Sequence, residues 1–304
     1  MSNPILDEII EIVIATNFEI WNNTEKIPSV FYIGSGKSGS KSICNGLETH
    51  TVAHWHSIDH FENTYKCNLL SKNNYDLYDL VIYLGKKNNF KPLIVESIRD
   101  PIEFNISHFF EIVNALLDGY FDKKDYLNQG YMQMYTILKS DISELSLNNA
   151  VKIISELKEE GSYIFSREMW KKHFNIDLKS IFDKKRGYCY SSQPSCNLLL
   201  LRYENINDWK EIFNDIGYHF VPNHINNTRN KSHNIPLYYD YVLKNISFQK
   251  KDLERIYFRY KSFYTEDELD IFYKKWGKPE LLDSQSSLQN FSNPNPTKTI
   301  PSVL

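Results

Sequence analysis

Four consecutive leucines, Leu198–Leu201, sit between Asn197 and Tyr203. An extended segment that is apolar at every position has no polar side to offer to water, so it must be covered on both faces. Ser29–Gly34 is a similar short apolar run, Pro92–Ile98 reads as a third strand, and Thr49–Trp55 is a further candidate strand. The segments between them carry helical periodicity. Tyr75–Lys87 places Leu77, Leu80, Val81 and Leu84 on one face. Asp100 followed by Pro101 is a helix start, with Asp as N-cap and Pro at the first helical position, and that helix can run to Leu117. Leu145–Glu160, Ile206–Ile216 and Lys250–Trp276 read as further helices. Strands alternating with helices predict an α/β fold. The expectation is a three-layer sandwich around a central parallel sheet of about four or five strands.

A chain of 304 residues holds one large domain or two small ones. The alternation runs to residue 278 without a linker, so residues 1–278 read as one domain, with 118–182 as a helical insertion. Residues 279–304 are rich in Ser, Asn, Pro and Thr and read as a flexible tail. The net charge of −3 gives no general attraction to nucleic acid or anionic membrane, so any anion site must be local. The four cysteines form no CxxC pair, which argues against a zinc ribbon or redox dithiol and favours a reducing compartment. Met1–Trp21 reads as an amphipathic helix carrying Asp7, Glu8 and Glu11, without a basic leader region. No apolar stretch reaches the ~18 residues of a membrane span. A soluble, cytoplasmic protein is the expectation.

The first apolar run ends in Gly34, Ser35, Gly36, Lys37, Ser38 and Gly39, and a helix begins near Ser40. A strand, a Gly/Ser loop and a helix N-terminus form an anion trap, because loop amides and the helix dipole converge. Lys37 adds a full charge, and Ser38, Ser40 and Ser42 add hydroxyl donors. The loop is not a Walker A motif, whose first glycine would fall at Phe31. The plain reading is a Gly-rich turn with an incidental lysine.

Arg99 stands at the end of the third run, and Ser107 lies inside the helix that follows. An arginine fork suits phosphate. The plain reading is that Arg99 pairs with Asp100 or Glu103. In an open α/β sheet both strand ends face one crevice. Two phosphate sites there suit a nucleotide phosphorylated at its 3′ and 5′ positions.

Gly36-Lys37-Ser38-Gly39-Ser40 and Arg99-Asp100-Pro101 with Ser107 resemble the two nucleotide motifs of the sulfotransferase superfamily, whose fold is P-loop NTPase-like. More closely, the chain is similar to a bacterial family of capsular polysaccharide synthesis proteins. Trp170–Asp177, Leu199–Glu204 and Phe263–Leu269 add to that likeness, which spans Val30–Trp276. The resemblance implies a sulfotransferase using 3′-phosphoadenosine 5′-phosphosulfate (PAPS) as cosubstrate, without a metal, and a hydroxyl acceptor, for which a capsular or other polysaccharide is the candidate; the 118–182 insertion would wall the acceptor side. It implies that Lys37 contacts the 5′-phosphate and the oxygen bridging to sulfur. Gly36 and Ser38, with Gly39, Ser40, Lys41 and Ser42, would complete that cradle. Arg99 and Ser107 would hold the 3′-phosphate. A late basic loop, Asn226–Ser232 with Arg229 and Lys231, would close over the adenosine. Two residues depart from the pattern. Lys41 stands where a second Thr is common, and Glu96 sits inside a strand, where it would orient Lys37 or Arg99 or lie at the acceptor site.

Transfer to a hydroxyl needs a base, and histidine titrates in the right range. His54 and His56 project to one face of an extended segment. A similar His-x-His occurs in some polysaccharide O-sulfotransferases, which makes His56 the first choice and His54 the second. The same region offers a rival metal site from His50, His54, His56, Asp59 and His60, at irregular spacing. Two other functions compete. One is a magnesium-dependent nucleotide or small-molecule kinase with Asp100 as metal ligand, and the other is an inactive nucleotide-binding module.

Overall fold

The computed structural model describes residues 3–16, 20–23, 27–34, 37–119, 129–140, 142–156, 163–223 and 233–278. Six strands form one sheet: β1 (Ile20–Trp21), β2 (Val30–Ile33), β3 (Val52–Trp55), β4 (Leu93–Ile98), β5 (Tyr188–Ser192) and β6 (Asn197–Arg202). Their order is β1-β3-β2-β4-β6-β5. The inner four, β3-β2-β4-β6, are parallel, whereas β1 on β3 and β5 on β6 are antiparallel. The expected parallel sheet of four or five strands is thus a mixed sheet of six. The parallel centre follows from the continuous apolar runs. The edges escaped because β1 has two residues and β5 is mostly solvent-facing.

Alternate residues of the central strands feed two separate cores. Phe31, Ile33, Trp55, Ile94, Leu198 and Leu200 pack on one side. Val30, Tyr32, Val52, Val95, Leu199 and Leu201 pack on the other. The first side is covered by Pro4–Thr16, Leu77–Lys87 and Pro101–Leu117, and the second by Ser40–Gly46 and Trp209–Asp215. Helices on both faces explain why Leu198–Leu201 are all completely buried. Each such leucine contributes about 1.5–3 kcal/mol relative to an exposed one.

The chain leaves β2 for β3 on one side, then returns past β2 to β4 and continues to β6. The direction reverses between β2 and β4. In open α/β sheets the crevice at such a reversal, beyond the carboxyl ends of the strands, is where ligands bind.

Several helices differ from expectation. Lys250–Trp276 divides into Lys250–Phe258 and Glu266–Trp276, because Thr265 and Glu268 form a capping box that starts a new helix. The N-terminal helix covers Pro4–Thr16, and Trp21 belongs to β1. Ile206–Ile216 begins as a 3-10 turn, Tyr203–Asp208, before the helix Trp209–Asp215. Within 118–182 lie four described helices, of which Glu144–Ser155 packs on an unanticipated helix, Ile235–Asn245. The proposed tail beyond Lys278 lies outside the described residues. Among the described residues no helix is long and apolar enough to cross a membrane.

Gly46 lets the Ser40–Gly46 helix press onto Phe220, whose ring stacks on Phe213 at 4.7 Å. A β-carbon at Gly46 would collide with that ring. Gly46→Ala is expected to destabilise the protein by about 1–3 kcal/mol in denaturant unfolding.

Candidate functional site

The loop after β2 enters the crevice at the sheet reversal. Gly34 N donates to Trp55 O at 3.1 Å, which ties the loop's start to β3. Ser35 and Gly36 lie outside the described residues. Ser38 is fully buried, and its hydroxyl meets Tyr32 Oη at 3.0 Å and Ser97 Oγ at 2.9 Å. Tyr32 and Ser97 are themselves 2.7 Å apart, so three hydroxyls fasten the loop to β2 and β4 from beneath. Gly39 has a left-handed φ of 92°, and a β-carbon there would lie 2.5 Å from the Trp209 ring. Both constraints select glycine. Ser40 and Ser42 are buried and Lys41 is half-buried. The helix they open has only seven residues, so its dipole adds less than a long helix would.

Lys37 is 7% exposed, and its ammonium donates to Glu111 Oε2 at 2.5 Å. Arg99 Nη1 donates to Lys37 O at 3.0 Å, and Nη2 donates to Glu103 Oε2 at 3.0 Å. Its guanidinium carbon lies 4.4 Å from the centroid of the Tyr203 ring. Its Nε is buried without a hydrogen-bond partner among the described residues. Glu103 also accepts from Lys275 Nζ at 2.7 Å. Burial works against the Glu103 carboxylate, but Arg99 and Lys275 together hold its pKa below the ordinary range. Ser107 is buried on the same helix, one turn after Glu103 and one before Glu111. The structure therefore brings Lys37, Ser38, Arg99 and the helix bearing Ser107 to the β2/β4 end of the sheet. The plain reading of Arg99 also holds, because it pairs with Glu103. Arg229 and Lys231 lie outside the described residues.

The two histidines share a face, with ring centroids 4.4 Å apart. His54 is 2% exposed and lies edge-on to Trp21 and Tyr32. His56 is half-buried, and its Nδ1 stands 2.8 Å from Gly34 O. A carbonyl only accepts, so this bond places the proton on Nδ1 and makes Nε2 the basic nitrogen of the neutral ring.

Among the described residues the one grouping with metal-ligand proximity is Asp76, Asp79 and His173, not the histidines after β3. The side chains of Asp59 and His60 are not described. Asp76 is the N-cap of Leu77–Lys87, and its Oδ2 takes both Lys172 Nζ at 2.6 Å and His173 Nε2 at 2.8 Å. A lysine ammonium on that oxygen marks a structural hub.

Two carboxylates correct the sequence reading. Asp100 is 1% exposed and accepts from Ile102 N, Tyr257 Oη at 2.7 Å and Trp276 Nε1 at 2.8 Å. Burial pushes its pKa up, and it is sealed from any nucleotide-bound magnesium. Glu96 touches neither Lys37 nor Arg99. It lies in the first core, on the face of β4 shared by Ile94 and Ile98, where Oε1 accepts from Trp170 Nε1 at 2.8 Å and Oε2 has no hydrogen-bond partner among the described residues. Nothing in the sequence signalled that Glu111 pairs with Lys37 or Trp170 with Glu96, because the partners lie 74 residues apart in each case.

Comparisons of the chain with protein-family models, curated proteins and solved structures give no match.

Burial pushes the Glu96 pKa from 4.5 up to about 8, against the Trp170 bond. The folded state therefore binds this proton more tightly than the unfolded chain. Its stabilising effect is complete below about pH 4.5 and is lost as pH rises toward 8. Glu96→Gln keeps the Trp170 contact and removes the titration. It is expected to flatten the fall in unfolding free energy between pH 5 and 8 by an amount on the order of a few kcal/mol, measured by denaturant titration across that range.

Proposed function

We propose that the chain is a PAPS-dependent sulfotransferase acting on an acceptor hydroxyl, with a glycan as the acceptor class and the cytoplasm as its location. The observation that carries this reading is the placement of Lys37 and Arg99. They stand at the carboxyl ends of adjacent parallel strands, on either side of the sheet reversal, with Arg99 Nη1 on Lys37 O at 3.0 Å. Two cations there fit a ligand with anionic groups at two ends.

In the proposed reaction the acceptor oxygen attacks sulfur. A new S–O bond forms as the bond from sulfur to the bridging oxygen of the 5′-phosphate breaks, and the electron pair stays on that oxygen. Lys37 neutralises the charge that develops there, which is electrostatic stabilisation of the kind that dominates phosphoryl transfer. His56 Nε2 takes the acceptor proton, its tautomer set by the Nδ1 bond to Gly34 O. Arg99 and Ser107 take the 3′-phosphate. His54 supports the His56 ring by its edge contact. The magnesium-dependent kinase reading is disfavoured, because Asp100 is consumed as a cap.

Calorimetric titration with 3′-phosphoadenosine 5′-phosphate is expected to show binding that Lys37→Ala weakens at least tenfold. His56→Ala is expected to leave that binding intact and to lower turnover by about 10²–10⁴ with PAPS and a sulfatable glycan. The reading fails if wild-type protein gives neither heat nor a thermal shift with this nucleotide, or binds only ATP with magnesium.

A further inference from the structure

One helix supplies the counter-charge for both cations of the site. Glu103 and Glu111 lie on Pro101–Leu117 at a separation of two four-residue steps, so they share a face about 12 Å apart along the axis. Glu103 holds Arg99 and Glu111 holds Lys37. In each pair the carboxylate is the more exposed member. The exposures are 24% for Glu103 against 11% for Arg99, and 32% for Glu111 against 7% for Lys37. The carboxylates therefore stand on the solvent side of the cations.

We infer that Glu103 and Glu111 act as a paired carboxylate clamp that selects ligands carrying two anionic groups and rejects those carrying one. The inference rests on Lys37 and Arg99 being an anion site. A single phosphate that reaches one cation displaces one carboxylate. That carboxylate stays tethered within a few ångströms, and the second ion pair remains closed. Repulsion between the displaced carboxylate and the phosphate, at an effective dielectric well below that of water, offsets much of the new attraction. A ligand with two anionic groups replaces both carboxylates at once and frees the whole helix face. Glu103 has a second partner for this exchange. Its Oε1 already accepts from Lys275 while Oε2 holds Arg99, so releasing Arg99 does not leave it unpaired. Glu111 is about one-third exposed, so solvent reaches its carboxylate.

The test uses the full chain, with Glu103→Gln, Glu111→Gln, the double variant and Lys37→Ala. The probes are inorganic phosphate, adenosine 5′-monophosphate and 3′-phosphoadenosine 5′-phosphate. Matched melting temperatures control for folding. Glu111→Gln is expected to tighten binding of the two single-phosphate probes about tenfold while changing the bisphosphate by less than about threefold, so that selectivity collapses. A readout without ligand is the acetylation rate of Lys37 followed by mass spectrometry, which should rise severalfold in Glu111→Gln as the ammonium loses its carboxylate. If Lys37→Ala abolishes anion binding but neither glutamine variant changes selectivity, the clamp is wrong and the anion site stands. If no probe binds any variant, both ideas fall. If Glu111→Gln lowers turnover with binding unchanged, Glu111 acts in the proton transfer and the clamp is overturned. An acetylation rate that Glu111→Gln leaves unchanged also overturns the clamp, whatever the ligands do.

Discussion

The Arg99 guanidinium joins the segments that follow three of the four parallel strands. It extends from the end of β4, donates to Lys37 O in the loop after β2, and lies over Tyr203 just past β6. Its remaining fork reaches Glu103 on the helix that β4 leads into. Burying such a cation is costly unless most of its donors and its face are used, and here both terminal nitrogens and the ring face are engaged while Nε has no hydrogen-bond partner among the described residues. Only arginine supplies a planar fork with donors in several directions and a flat face that stacks on an aromatic ring. Lysine would supply the charge and lose the geometry. The same aromatic wall shapes the loop, because Gly39 packs against Tyr203 and Trp209 with no room for a side chain.

The polar groups around this centre divide by what they hold. Asp100 caps Pro101–Leu117 and draws in Tyr257 and Trp276 from the two C-terminal helices. Arg202, 2% exposed at the end of β6, reaches Phe263 O and Glu268 and so fixes the start of Glu266–Trp276. These are structural ties, sealed and satisfied. Ser38, Tyr32 and Ser97 form a similar tie under the loop. Lys37 pairs with Glu111, whose carboxylate lies partly in solvent as that of Glu268 does, and an ion pair open on one side can exchange partners.

The elements whose chemistry is local were legible in the sequence. Continuous apolar runs marked β2 and β6, the Asp100-Pro101 pair marked the start of Pro101–Leu117, and alternation placed His54 and His56 on one face. The Thr265–Glu268 capping box was present in the sequence, but the apolar period on either side of it hid the break. What was not legible depends on distant packing. Burial of His54 requires Trp21, which lies in a two-residue strand too short to carry a pattern. Glu96 was visible as an anomaly, yet its partner Trp170 and its distance from Lys37 and Arg99 follow from which face of β4 it occupies. Glu111 carried no signal, because an acid on an amphipathic helix is ordinary until a buried lysine meets it.

The structural and ligand-binding readings of Lys37 and Arg99 do not exclude each other. The chain has 38 acidic and 35 basic residues, so buried cations find carboxylates readily during folding. Leaving them unpaired would cost several kcal/mol each, and some internal counter-charge is required before any anion arrives. Under the proposed function, ligand binding is then an exchange of anions at fixed cations. In the proposed reaction the base lies close to this exchange, because His56 Nδ1 is bonded to Gly34 O, three residues before Lys37 in the sequence.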